Sequence, residues 1–271
     1  MSLTLSTLAH RRWLLRYENA AAREAVAALE KRTAPLLKRL QRYEAQLAAN
    51  RPLTARQRAQ AERDRARLRS LYRKANADVQ AATQTRLQGA AEAELRVSVR
   101  NLSAGLPEGQ TARAPGVDLR TLLANPTAGS PWTAILDQQM AQTYQRVDAA
   151  LAIAINRGAS IPRATGLVSD AVGVVDGQKH KVTRLVRTEI QRVSNEAAQA
   201  TYKANRDVVR AVRYLATLDA RVCPVCRPDH RKVYELDAAG NHPGPTIPRH
   251  PHCRCFYAPV TRSLADILAA R

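Results

Sequence analysis

Aromatic residues are scarce in this chain: 4% of 271 residues, with a single Phe. Sheets draw their cross-strand packing from aromatic and β-branched side chains, so the shortage argues against a large β-sandwich and for Ala- and Leu-rich helices. No apolar run of 18 residues occurs, which excludes a transmembrane helix. The N-terminus lacks the apolar stretch of a secretory signal. The expected setting is therefore a reducing cytosol, where paired thiols favour a metal over a disulfide. There is no Gly-rich phosphate loop, no GxSxG, no HExxH and no local pair of acids in a plausible site setting, so the common sequence-local signatures of catalysis are missing. Acidic residues are few as well, 23 against 43 Lys and Arg, for a formal net charge of +20. Such an excess implies a polyanionic environment. Arg greatly outnumbers Lys, which suits bidentate phosphate contacts.

Cysteine is absent from most of the chain and concentrated in one place. All four thiols fall between residues 223 and 255, as Cys223-Pro-Val-Cys226 and Cys253-Arg-Cys255. Two close pairs separated by a loop suit a tetrahedral ion, because each pair supplies two neighbouring corners. His250 lies three residues before Cys253 and is the alternative fourth ligand, or a group supporting the ligands, beside a set of four sulfurs. A structural zinc that closes the site is the first reading. A disulfide-stapled knuckle and a catalytic metal stay open as others, although a catalytic zinc keeps an open position. His230 and His242 sit in a polar, turn-rich loop and read as solvated. Apolar, β-favouring stretches lie before the first Cys pair (Val208, Val209, Val212, Tyr214), between the pairs (Val233, Tyr234) and after the second (Phe256, Tyr257, Val260). They predict three short strands around the knuckle.

The joint pattern resembles the Mu F-like, or SPP1 gp7-like, phage head morphogenesis domain of minor head proteins. The residues that carry the resemblance are Asp219, Arg221, Cys223, Cys226, the Lys232-Val-Tyr234 strand, Pro248, His250, Pro251, Cys253, Arg254 and Cys255. Upstream, Arg187-Thr-Glu-Ile190 and Asn156-Arg-Gly-Ala-Ser are similar to that family's helix and inter-helix turn. The resemblance covers roughly residues 131–260. One departure is the stretch Arg227-Pro-Asp-His-Arg231, where the family commonly has Asp-Gly, so the turn type there is open. The resemblance implies a non-enzymatic structural protein of the virion, made in the host cytoplasm and placed in the head interior at the portal vertex. It would act in procapsid assembly and DNA packaging or delivery, in several copies. Its partners would be the portal protein, the major capsid or scaffolding protein, and double-stranded DNA bound without regard to sequence. Two other classes stand beside this: a metal-dependent HNH-like nuclease, for which Asp229-His230 is the candidate pair, and a non-specific DNA-binding protein.

The rest of the chain reads as mainly α with a small α+β C-terminal domain. Residues 1–100 predict a basic antiparallel helical hairpin, a coiled coil, with helices over 6–48 and 55–99 and a turn at Asn50-Arg-Pro-Leu-Thr54. Val26, Leu29, Thr33, Leu36, Leu40, Tyr43 and Leu47 recur in steps of three and four. Pro35 falls inside this seam and is expected to kink or split the helix near Ala34. Thr54 with Gln57 can form a weak capping box. Residues 51–74 hold nine Lys and Arg against two acids. Arg56, Arg58, Arg63, Arg65, Arg69 and Arg73 are the candidate nucleic-acid-binding residues, tracking phosphates without reading bases; a solvated helix face is the plainer alternative. Residues 101–130, rich in Pro and Gly, read as a linker or arm. A head-morphogenesis domain follows at 131–260, with its knuckle at 217–257. Within it the sequence predicts a helix over 131–157, a short helix near 161–172 capped by Ser160, a turn from Gly173 to Gly177 and a helix over 178–205. Residues 261–271 predict a tail helix built on Leu264, Ile267 and Leu268.

Overall fold

Helix α1 (Leu3–Ala48) and helix α2 (Ala55–Ser103) open the computed structural model, followed by α3 (Leu119–Ala124), α4 (Trp132–Ile155) and α5 (Ile161–Ala204). Strands β1 (Val209–Leu215), β2 (Val233–Glu235) and β3 (Phe256–Thr261) close the fold, with one 3₁₀ turn at Arg227–Asp229. The structure describes residues 3–125, 129–156, 158–217, 222–263, 265 and 267, with side chains from residue 6 onward. The chain is mainly helical, with a small three-stranded antiparallel sheet and a Cys cluster near its C-terminus.

The chain divides into two compact units. One comprises Met1–Ala20, Thr85–Thr127 and Val186–Arg271, and carries the sheet; the other comprises Ala21–Gln84 and Ala128–Leu185. Among the described residues, the regular elements of the second unit are all helices. In it α1 and α2 run antiparallel, because Arg39 pairs with Asp64 (2.6 Å) and Arg32 with Asp78 (2.8 Å). The turn between them ends in a full capping box: Thr54 Oγ1 accepts from Gln57 N (3.2 Å), and Gln57 Oε1 accepts from Thr54 N (2.8 Å). The seam is as expected from Leu29 to Leu47, but Ala25 is buried one residue before the half-buried Val26.

Two helix boundaries differ from the sequence reading. Pro35 lies inside α1, which runs unbroken past it. The ring and the neighbouring Lys31 are solvent-exposed, so the carbonyl that loses its partner is hydrated instead of orphaned. The short helix near 161–172, the Gly turn and the helix from 178 are one helix, α5. Val168, Ala171, Val175 and Val182 continue one buried stripe through the glycines. Burial of that stripe outweighs the glycines' cost of about 1 kcal/mol each. Asn156 forms the turn that precedes α5, its Oδ1 accepting from Gly158 N at 2.9 Å; Arg157 lies outside the described residues.

In the other unit β1 is central, in the order β2-β1-β3, and both pairings are antiparallel. An irregularity between Val209 and Ala211 shifts the β1–β3 register. It resets the alternation, so Ala211 and Val212 are buried in succession. Pro259 sits on β3, an edge strand, where its missing N–H breaks no ladder. Within 101–130, Asp118 caps α3 by accepting from Arg120 N (3.0 Å). Of the expected tail helix, Leu264 and Leu268 lie outside the described residues. Ile267 is buried, and its N–H donates to Ser263 O (3.1 Å). No helix among the described residues is long and apolar enough to cross a membrane.

Candidate metal centre

The four thiols meet in the core of the sheet-bearing unit. Cys226, Cys253 and Cys255 are buried with Val209, Val212, Tyr214, Ile247 and Tyr257, and Cys223 packs half-buried against them. The first pair sits on one turn, where Cys223 O accepts from both Cys226 N and Arg227 N (3.0 Å each). Cys253 N donates to His250 O (3.1 Å). Potential ligand atoms gather in two overlapping groups: Cys223, Cys226 and His250, and Cys226, Cys253 and Cys255. Within each, all lie within 4.8 Å of one another. Cys226 is common to both groups, so one cluster contains all five residues singled out in the sequence.

The chemistry of the donors fits a metal. His250 Nδ1 lies 2.8 Å from Pro251 O. A carbonyl only accepts, so Nδ1 is the donor, and in the neutral ring Nε2 keeps its lone pair. That Nε2 is 3.3 Å from Cys226 Sγ. A backbone partner on the far nitrogen is the usual support of a ligating imidazole. Burial raises the Cys226 thiol above its ordinary range. The side-chain bond between Cys253 and Cys255 holds the Cys253 thiol low and pushes the Cys255 thiol up. Tyr214 is fully buried, with its hydroxyl beside the Cys226 and Cys255 thiols. Burial is the first cause of its raised pKa and these thiols the next. Sulfur and imidazole donors gathered this closely suit a soft divalent ion. The cluster could hold a metal ion.

The support for this cluster comes largely from α5 and α1. Thr188 Oγ1 accepts from His252 N (3.2 Å), and Asn195 Nδ2 donates to Cys255 O (3.4 Å). Arg11 is buried, donates to Cys255 O (3.5 Å), bonds Gln191 Oε1 and lies 5.2 Å from the Phe256 ring centre. Gln191 in turn donates to Glu18 (2.8 Å). Burial raises the Glu18 pKa and lowers that of Arg11. Thr188 of the Arg-Thr-Glu-Ile motif, with Asn195 further along α5, thus holds the segment around the second Cys pair. Glu189 is buried and ion-paired with Arg192 (2.8 Å). Arg11, Gln191 and Asn195 were not singled out in the sequence; their distance from the cysteines along the chain hides them, and only their polar character on an otherwise apolar face marks them.

His230 and His242 are half-buried. His242 stacks edge-on against Tyr257 (centroids 4.5 Å apart) and lies near Tyr234, with Nε2 3.2 Å from Gln199 Oε1. His230 Nδ1 accepts from Ala216 N (3.2 Å). A solvated loop was expected because polar neighbours surround both in sequence; instead each ring is partly covered by partners distant in the chain, Ala216 for His230 and Gln199, Tyr234 and Tyr257 for His242. Burial lowers the pKa of each. Asp229, beside His230, is held low by Lys232 (2.8 Å) and Arg249 (2.5 Å). The turn left open at Arg227–Arg231 is the 3₁₀ turn followed by Arg231 at φ 70°, a conformation usually given to Gly. Asp219 and Arg221 lie outside the described residues.

The candidate nucleic-acid residues lie on α2 in the helical unit. Arg56, Arg63, Arg69 and Arg73 are exposed, Arg63 bonding Gln60 (2.7 Å). Arg58 is half-buried, with its guanidinium on Leu53 O. Arg65 is exposed but paired with Asp148 (2.9 Å), which raises its pKa.

Comparison with known proteins agrees with this geometry over part of the chain. No curated protein and no solved structure matches the sequence. Residues 145–258, which contain α5, the sheet up to β3 and both Cys pairs, match the family model described as Phage Mu protein F like protein, consistent with the phage head morphogenesis family that the Cys and His motifs resemble.

Proposed function

We propose that this chain is a structural minor head protein of a tailed phage. In this reading it associates with the portal and head interior and acts in procapsid assembly and in DNA packaging or delivery. The observation that carries it is the coincidence of the Mu F-like match with the Cys cluster inside residues 145–258. The reading requires no reaction. Its cofactor is zinc, held by Cys223, Cys226, Cys253 and Cys255, with His250 as the alternative fourth ligand. Bound there, zinc would serve as a closed structural cross-link, and its binding free energy would become folding free energy. The sheet is small, and three short strands are marginal alone, which is the physical reason such a cross-link would be needed. The exposed arginines of α2 suit packaged DNA as a sequence-blind polyanion.

The test is co-expression with the portal protein of the same phage, followed by purification and native mass measurement. A defined stoichiometric complex is the expected result. A chain that ignores the portal yet nicks supercoiled DNA in Mg²⁺, with nicking lost in His230→Ala, would replace this reading with the nuclease.

A further inference from the structure

A groove of about 710 Å³ runs between the first turns of α1 and the open face of the sheet, within one unit. Its apolar lining is Leu8 and Leu15 from α1, Leu215 from β1, Val233 from β2, and Phe256 from β3. Leu8 and Val233 are 43% and 41% exposed, so part of this lining faces water. Arg213 and Val233 are directly paired across β1 and β2, and Leu215 follows two residues on. The period of two therefore sets Arg213, Leu215 and Val233 on the same face.

Cationic side chains from three elements are among the described residues at the rim. Arg12 comes from α1, Arg213 from β1 and Arg231 from the turn before β2, and all three are exposed. None of the three is ion-paired among the described residues, and no acidic side chain is among the described residues lining the groove. Arg11, the fourth arginine, is turned inward to Gln191 and Cys255. Unpaired charge around an apolar floor is costly to maintain without a partner, because exposed apolar area and mutually repelling guanidinium groups both disfavour it.

We propose that this groove is a docking site for an acidic protein segment with apolar anchors, supplied by a partner protein. Charge selects the class of occupant. A second copy of this chain, at +20, would set cation against cation. Duplex DNA would satisfy the arginines but would leave the apolar floor in water, since phosphates and sugars have nothing to insert there. An acidic segment that places Leu, Met or Phe side chains in the groove and carboxylates on Arg12, Arg213 and Arg231 satisfies both features. The volume lies within the range of built binding clefts, about 300–1,000 Å³. The inference stands apart from the head-protein reading, since it rests on the groove alone.

The experiment is selection from a randomised short-peptide library on the full chain, followed by anisotropy measurements on the selected peptides. Selected sequences should combine Asp or Glu with Leu, Met or Phe, and raising salt should weaken them. Arg12→Glu with Arg213→Glu should weaken binding by at least about tenfold, as charge reversal at a paired rim does. Val233→Asp should weaken it comparably, and a polyglutamate peptide should bind about tenfold less tightly than the selected ones. All three positions are exposed, so unchanged circular dichroism is expected in each variant. A consensus without acids, or affinity unchanged in both variants, overturns the proposal. So does competition by duplex DNA that is lost in Arg213→Glu, which would make this a nucleic-acid surface. Self-association abolished by Val233→Asp would make it an interface between copies and overturn the proposal as well.

Discussion

Arg192 is buried, carries a charge, and donates to Glu189, Glu196 and the carbonyls of Leu122 and Leu123. It ties α5 to the end of α3 inside one unit. Arg192→Met would remove the cation that pairs with the buried Glu189 carboxylate, at a cost of up to about 3–5 kcal/mol. Glu189→Gln, which keeps a hydrogen-bond acceptor, should cost clearly less. Urea unfolding of both variants checks the ordering; equal losses would mean that packing and not charge decides the site. His242 offers a pH test. Burial lowers its folded pKa, so the fold prefers the neutral ring. Its contribution is complete above the unfolded value of about 6.5 and is lost as pH falls below it. Melting temperature should fall from about pH 8 to about pH 5, and His242→Phe should flatten that slope. A slope unchanged in the variant would assign the titration elsewhere.

Among the elements, α5 shows how glycines in helices divide. Around Gly173 no atom lies within 4 Å of an added Cβ. Gly173→Ala should therefore stabilise the helical unit by about 0.5–1 kcal/mol through helix propensity alone. Gly89 in α2 is the opposite case, because an added Cβ would meet Tyr17 Oη at 2.6 Å. That hydroxyl donates to Arg86 O (3.0 Å), so Gly89→Ala should destabilise the contact between α1 and α2 despite alanine's better propensity. Opposite shifts in paired thermal melts are the expected outcome. These two positions also show what the sequence could not say. Both read as breaks or neutral sites on a list of residues; neighbours from a distant helix decide the sign. Pro35 is a third case, where exposure makes a helix-breaking residue tolerable.

For the whole molecule the test is metal removal. If zinc holds the Cys cluster, chelation should raise hydrogen exchange across 206–260 and spare the α1–α2 pairing of the helical unit. Elemental analysis that finds no metal, with exchange unchanged in chelator, would reduce the cluster to buried thiols. The charge of +20 predicts sequence-blind DNA binding with a steep salt dependence. Neutralising Arg56, Arg63, Arg69 and Arg73 should reduce that slope. Arg65 is left out because it also holds Asp148, so its loss would change packing and charge together. An unchanged slope would move the DNA contact off α2.

The sequence by itself determined the helical class, the capping box at Thr54, the three strands and the two Cys pairs. Each is written in local spacing, where periods of two, three and four dictate which side chains share a face. It also carried the Mu F-like pattern, because motif residues keep their spacing. The tertiary structure alone decided that α5 runs through its glycines, since burial of a distant stripe outweighs local propensity. It likewise placed Arg11, Gln191 and Asn195 around the second Cys pair, and joined Leu8, Arg12 and Val233 in one groove. Those residues lie up to 244 positions apart, and no local rule of spacing connects groups that only chain folding brings within hydrogen-bonding or packing distance.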